Sequence, residues 1–210
     1  QMELDSIGFY ISAHPMDNYK VPIKFFTNCN IQHINNSIEE LKGHKLTFAG
    51  QIVFAEHLTT QQGKPFGRFK VEDHNSAIEL SCFNETYLKI KHLIDSGTFV
   101  LIHAQTQQSF RDKEKQELKI IDMQLLDSVV DQSSRQVILK INVSEMEETD
   151  LLNVLAIIRE NSEGRHNYQV QLIDAQLKMK AMLRPKNGKL NAANLLPMLD
   201  GFPFIEYEFK

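Results

Sequence analysis

Between Leu46 and Leu126 the spacing of apolar residues changes twice, and the order of those changes constrains the fold more than any other feature of the chain. Leu46, Phe48, Gly50, Ile52 and Phe54 alternate with Thr47, Ala49, Gln51 and Val53, the period of two that belongs to a strand with one face turned inward. A turn-rich stretch, Thr59–Pro65, follows. Two further strand patterns, Arg68–Val71 and Ile78–Phe83, flank the polar turn Asp73–Ser76. A helical group (Tyr87, Leu88, Leu93, Ile94) then runs to Gly97. Two last strands, about Thr98–Thr106 and Leu118–Leu126, enclose the charged turn Arg111–Lys115. Three strands, a helix and two strands is the order of an OB-fold barrel, and the helix after the third strand separates it from a plain β-meander.

The flanks have other periods. Leu4, Ile7, Phe9, Tyr10 and Ile11 bunch as in a helix, which His14-Pro15 should end because the residue before proline is pushed out of the helical region. A second helix is expected from about Asp17, carrying Tyr19, Ile23 and Phe26. After the polar stretch Asp127–Ser134, the best linker candidate, Val137, Leu139 and Ile141 form a strand. Ser144 with Glu147 reads as a capping box, and Leu151, Val154, Leu155 and Ile158 as the core-facing stripe of a helix closed by Gly164. Strands at about 168–174 and 177–183, an Asn187-Gly188 turn, a short helix near 192–199 that contains Pro197, and a strand Phe204–Phe209 complete a small α+β unit. The expected division is a helical lead-in over 1–45, an OB-fold nucleic-acid-binding domain over 46–127 and an α+β partner-binding domain over 128–210. The 210 residues suit this, at roughly 100–150 per domain.

Composition narrows the function. With 42% hydrophobic and 24% charged residues the chain is of the ordinary globular class. The net charge of −4 is spread evenly: four basic and five acidic residues in 1–45, nine and ten in 46–126, ten and twelve in 127–210. No segment is a basic arm, so any contact with nucleic acid must be local. Cys29 and Cys82 are too far apart for a metal or redox motif and read as reduced thiols of a cytoplasmic protein. The longest apolar run, Leu151–Ile158, is far shorter than the ~20 residues of a spanning helix. The chain opens with Gln1 instead of methionine, which suggests a piece of something longer.

Catalytic signatures do not emerge. Gly63–Gly67 lacks the GK[ST] ending of a phosphate loop, and the eight histidines never frame a glutamate at the spacing of a zinc helix. Glu72 and Asp73, adjacent in a strand, point to opposite faces, and no G-x-S-x-G elbow is present. The reading is a non-catalytic chain that needs no cofactor and no metal.

A binding surface does emerge. OB barrels take single strands on the outer face of strands 2–3 and on the loops joining strands 1–2 and 4–5. Those places hold Lys64, Phe66, Arg68 and Lys70, then Phe110, Arg111, Lys113 and Lys115. With Phe69 and Val71 inward, Arg68 and Lys70 face out. With Leu80 and Cys82 inward, Phe83 faces out, unless a bulge returns it to the core. Cations meet phosphates, and an aromatic ring gives a base a surface to stack on, worth ~1–3 kcal/mol per base. The plainer reading is that these cations serve solubility, and Asp112 and Glu114 dilute the second loop.

Several of these segments together resemble one family. Leu4-Asp5-Ser6-Ile7-Gly8-Phe9-Tyr10-Ile11-Ser12-Ala13-His14-Pro15-Met16-Asp17-Asn18-Tyr19 resembles the LGFYLSGHPLDxY segment of the alpha subunits of bacterial DNA polymerase III. Ala49–Ile52, Lys64–Asp73 and Ala77–Phe83 are similar to the OB segments that follow it there, and Ile205–Phe209 to a closing strand of some members. The resemblance implies a C-terminal fragment of a replicative polymerase whose catalytic aspartates lie upstream. It also implies an OB domain on the single-stranded DNA template and a terminal domain docking the clamp-loader tau subunit and other replisome proteins. Arg68 stands where the family often has an aromatic or aliphatic residue, which favours a phosphate contact over stacking there, and Ala13 replaces a glycine. Two other readings stand beside this one: a protein-interaction scaffold whose OB groove binds no nucleic acid, and the anticodon-binding part of a tRNA synthetase, which the absence of synthetase motifs disfavours.

Overall fold

The computed structural model describes residues 14–109, 112–133, 136–185 and 188–210. The helix expected over Leu4–Ile11 and the turn residue Asn187 lie outside them. A 3₁₀ turn, Pro15–Tyr19, is capped by His14, whose Nδ1 accepts from the Met16 amide at 3.2 Å. It leads into α1 (Lys20–Phe26) and then α2 (Ile31–Ser37), whose Asn30 cap accepts from the His33 amide at 2.7 Å.

The barrel strands are β1 (Lys45–Thr59), β2 (Pro65–Glu72) and β3 (Ala77–Phe83), then α3 (Asn84–Ile90), β4 (Phe99–Gln108) and β5 (Gln116–Leu125). They form one antiparallel sheet in the order β3-β2-β1-β4-β5, the OB order with its helix after the third strand. β1 is long because it serves both halves: Lys45–Gln51 pair with β4 and Gln51–Thr59 with β2. Gly50 lies where the strand turns from one partner to the other, and a Cβ there would come 2.5 Å from Val71 Cγ1. The sheet curls but does not close, since β3 and β5 share no ladder. Phe48, Ile52, Phe69, Val71, Val100 and Ile102 fill the interior, plugged by Ile31 and Ile34 from α2 and Tyr87 and Ile90 from α3.

One residue corrects the alternation expected for β1. Pairing slips between Ile52 and Phe54, so Val53 is a bulge and every later side chain changes face. Phe54 therefore points outward, 44% exposed, while Ala55 packs against the core.

The stretch read as a linker is helix α4 (Leu126–Ser133), burying Leu126, Val129 and Val130. Beyond it come β6 (Gln136–Asn142), α5 (Glu148–Glu160), β7 (His166–Asp174), β8 (Met179–Leu183), β9 (Lys189–Leu190), α6 (Ala192–Leu199) and β10 (Ile205–Phe209). The second sheet has the order β10-β6-β7-β8, with β6 and β7 parallel and β9 on the other end of β7. Gly164 is required before β7, because a Cβ there would overlap the Leu190 carbonyl.

Two expectations for α5 fail. Its capping box joins Glu147 and Asp150, while Ser144 lies earlier, its hydroxyl accepting from the Ala175 amide at 3.2 Å. Of the expected stripe only Val154 is fully buried; Leu151 and Leu155 are exposed, the latter by 52%. Val154, with half-buried Ile157 and Ile158, meets the sheet, and the side carrying Leu151 and Leu155 is open among the described residues.

The N-terminal helix joins the two sheets. Val21 lies in the C-terminal core, and the Phe25 ring is 5.2 Å from both Tyr207 and Phe209. Met16, with Tyr19 and Ile23, packs on Ala49, Leu101, Leu126 and Val129 between barrel and α4. Tyr19 donates to Asp127 at 3.0 Å, and burial pushes its hydroxyl up to about 12.

Candidate nucleic-acid interface

Alternation in β2 buries Gly67, Phe69 and Val71 and turns Phe66, Arg68 and Lys70 outward. Register then builds three outward rows across β1, β2 and β3: Leu58–Phe66–Phe83, Glu56–Arg68–Ser81 and Phe54–Lys70–Glu79. In the first row the Phe66 and Phe83 rings stack, with centroids 5.0 Å apart and planes 15° from parallel. Phe83 is 48% exposed, so one ring face is open to solvent. Its position is set by the corner into α3. Asn84 takes a left-handed φ of 53°, a conformation asparagine tolerates, and the chain turns there while the Phe83 ring stays on the strand face.

The rim is braced. His57 bridges the end of β1 to the helical connection through Tyr87 Oη at 3.0 Å and the Ile94 carbonyl at 3.1 Å. Beneath the face, burial pushes the Cys82 thiol up to about 11, which leaves it protonated and unreactive at neutral pH. Among the described residues, no group of three or more His, Cys, Asp or Glu is placed to hold a metal ion, and no helix is long and apolar enough to cross a membrane.

The electrostatics are mixed. Arg68 Nη2 lies 2.8 Å from Glu56 Oε2, Lys70 Nζ 2.9 Å from Glu72 Oε1, and Lys115 Nζ 3.4 Å from Asp112 Oδ2. These exposed pairs add about 0–1 kcal/mol each to stability, but they set how much positive potential the face presents. Lys64 and Lys113 have no carboxylate partner among the described residues. Lys64 sits in the β1–β2 turn, closed by the Thr60 amide donating to its carbonyl at 2.9 Å, and borders the same cleft as Phe83.

The structure thus gathers Lys64, Phe66, Arg68, Lys70 and Phe83 on one face. Lys113 and Lys115 sit apart from them, in the β4–β5 turn. That hairpin leaves the barrel beside α2, where the Gln116 amide donates to Glu39 at 3.0 Å and Asn35 reaches the first residue of β3. Phe110 and Arg111 lie outside the described residues. The sequence reading missed Glu56, Glu72, Phe54 and Leu58. The charge count of β1 held the clue for Glu56, but only the bulge shows which face it shares.

Residues 46–126 match the family described as OB-fold nucleic acid binding domain. Among curated proteins, the DNA polymerase III alpha subunit of Vibrio cholerae is 24% identical over 110 residues, which cover 52% of this chain and 9% of that protein. That of Borreliella burgdorferi is 27% identical over 99 residues, 47% of this chain and 8% of its own length. The chain is therefore similar to a small part of those proteins, around their OB region. Among solved structures, the mitochondrial single-stranded DNA binding protein Rim1 of S. cerevisiae aligns with 40% of this chain and 95% of its own, at 15% identity and a TM-score of 0.33. Yeast Stn1–Ten1 aligns with 50% of this chain and 66% of its own, at 12% identity and a TM-score of 0.35.

Proposed function

We propose that the OB domain holds single-stranded DNA on the outer face of β1–β3, as one weak contact of a larger replication polymerase. A base stacks on the open side of the Phe66–Phe83 pair, while Lys64, Arg68 and Lys70 meet the flanking phosphates. Arg111, Lys113 and Lys115 contact the strand farther along. The observation that carries this reading is the stacked, half-exposed aromatic pair one row from an exposed arginine. An aromatic pair at the surface is hydrophobic area left uncovered, and a sequence-tolerant stack is the use to which OB barrels put such rings.

On the same reading the chain is the C-terminal part of an alpha subunit acting in the cytoplasm, divided at about residues 45 and 127, and catalysis lies elsewhere in the parent protein. The α+β unit docks replisome proteins, the clamp-loader tau subunit first among them. Paired cations and a net negative charge make the DNA contact micromolar or weaker and strongly salt-sensitive, each phosphate contact releasing about 0.7 of a counterion. Photo-crosslinking with an iodouracil-substituted oligonucleotide tests the site. Adducts on Phe83 or Phe66 are expected, and adducts confined to the second sheet would refute it.

The scaffold reading has one observation in its favour: Glu56, Glu72 and Asp112 already occupy three of the cations. Replacing Lys64, Arg68 and Lys70 by alanine separates the two. Loss of oligonucleotide binding supports the DNA reading. Unchanged binding with loss of tau capture supports the scaffold.

A further inference from the structure

The second sheet ends on a strand that none of the described residues covers. All five residues of β8 are exposed, and on its outer side no strand pairs with it among the described residues. Unpaired edges invite another strand, and soluble proteins usually blunt them. Here the edge is apolar on one face. Met179, Ala181 and Leu183 stand opposite Asp174, Leu172 and Val170, so they lie on the face that β6 and β7 bury under the helices. On β8 that face is bare, with Met179 62% and Leu183 51% exposed. Leu151 and Leu155 of α5, the helix that packs on this face through Val154, are exposed as well.

The other face of β8 carries charge of one sign. Lys180 projects there, opposite Ile173, with Met182 beside it, and Lys178 and Arg184 mark the two ends of the strand. Among the described residues none of these three cations has a carboxylate partner, in contrast to Arg68 and Lys70 on the barrel. The carboxylate across from the edge, Asp174 opposite Met179, is engaged in the β7–β8 turn, where its Oδ1 accepts from the Gln176 and Leu177 amides at 3.0 and 2.9 Å. A second copy of this chain pairing through β8 would bring lysine and arginine against lysine and arginine, which is unfavourable. The edge instead fits an extended segment that alternates apolar and acidic residues. Its apolar side chains would meet Met179 and Leu183, its carboxylates would meet Lys180 and the flanking cations, and its backbone would extend the β8 ladder.

We infer that β8 forms a docking edge for an acidic, amphipathic β-strand of a partner protein. This rests on the reading that the C-terminal unit docks a protein, and supplies the surface and the chemistry of that contact. The test uses the whole 210-residue chain and fluorescent peptides of about ten residues alternating Val-Glu, Val-Lys or Ser-Glu. The Val-Glu peptide alone is expected to bind, with slowed amide exchange across Met179–Leu183. Met179→Glu/Leu183→Glu and the milder Met179→Ser/Leu183→Ser should weaken it about tenfold or more with unchanged melting, since both positions are exposed. Lys180→Glu should weaken it roughly fivefold, and less at high salt. Equal binding of all three peptides, no binding, or indifference to the Met179 and Leu183 changes would overturn the inference. So would a dimer in sedimentation that Met179→Glu/Leu183→Glu dissolves, because the occupant would then be a second copy. Capture of tau by wild type and by Met179→Glu/Leu183→Glu alike would leave the docking reading standing and remove this surface. Binding of the Val-Glu peptide without capture of tau would do the reverse.

Discussion

The two sheets present their open faces in opposite ways. On the barrel face Phe66 is stacked on Phe83, and two of the cations, Arg68 and Lys70, are paired with Glu56 and Glu72. On the C-terminal sheet, Met179 and Leu183 lie bare, and Lys178, Lys180 and Arg184 have no carboxylate partner among the described residues. A face whose charges are already half-neutralised suits a weak, reversible contact with a polyanion. A bare edge with unpaired cations suits a partner that brings both apolar and acidic groups. The difference lies in what each sheet leaves unsatisfied.

The largest effects should come from the interiors that hold the faces in place. Phe69→Ala empties the barrel core behind the Arg68 face and should cost about 3–5 kcal/mol in chemical denaturation. Leu155→Ala, half-exposed on α5, should change stability by no more than about 0.5 kcal/mol. If Leu155→Ala destabilises as much as a core substitution, α5 is covered in solution and the contrast between the sheets is wrong.

Next in size is the aromatic pair. Phe83→Ala removes a half-exposed ring and should weaken oligonucleotide binding about tenfold to a hundredfold, from ~1–3 kcal/mol per stacked base, while melting stays near wild type. Glu56→Gln then sharpens the electrostatic half of the comparison. Freeing Arg68 should raise affinity a few-fold and steepen the salt dependence by up to about 0.7 in log–log slope. A fall in affinity would mean that Glu56 orients Arg68 for the strand.

The bulge at Val53 shows where reading from sequence stops. The strand order, the helix after β3 and the outward placement of Arg68, Lys70 and Phe83 follow from local periodicity, and the structure agrees with them. The slip that turns Phe54 outward and brings Glu56 beside Arg68 depends on how β1 divides its pairing between β2 and β4, which no local pattern encodes. The same holds for α5. Leu151 and Leu155 have the spacing of a buried stripe, but the helix meets the sheet through Val154, Ile157 and Ile158 instead. The polar stretch after Asp127 reads as a linker because its buried residues, Val129 and Val130, are few; contacts with α1 and the barrel make it helix. Local capping differs too: Ser144 and Glu147 both offer a side-chain oxygen at a helix start, and the box forms one turn later, with Glu147 as the cap and Asp150 closing it.

The smallest effect concerns pH. A hydrogen bond from His74 holds the Asp17 carboxyl below its ordinary value of 3.8, and one from Lys140 holds Glu208 below 4.5. Both carboxylates therefore add stability above their ordinary values and lose it as pH falls through the lowered ones. Melting temperature should decline slightly more steeply on acidification below about pH 4 in wild type than in Lys140→Met, and less so at high salt, because both carboxylates are open to solvent in part. Identical acid profiles would assign the Lys140–Glu208 contact no part in stability.

The most direct test of the central claim is fluorescence anisotropy of a labelled oligo-dT titrated with the whole chain at low salt, wild type against Phe66→Ala/Phe83→Ala. Micromolar or weaker binding is expected that falls steeply with added salt and is lost in the double variant, whose melting curve stays cooperative. Binding by the double variant equal to wild type, or no binding by wild type at high protein concentration, would contradict it.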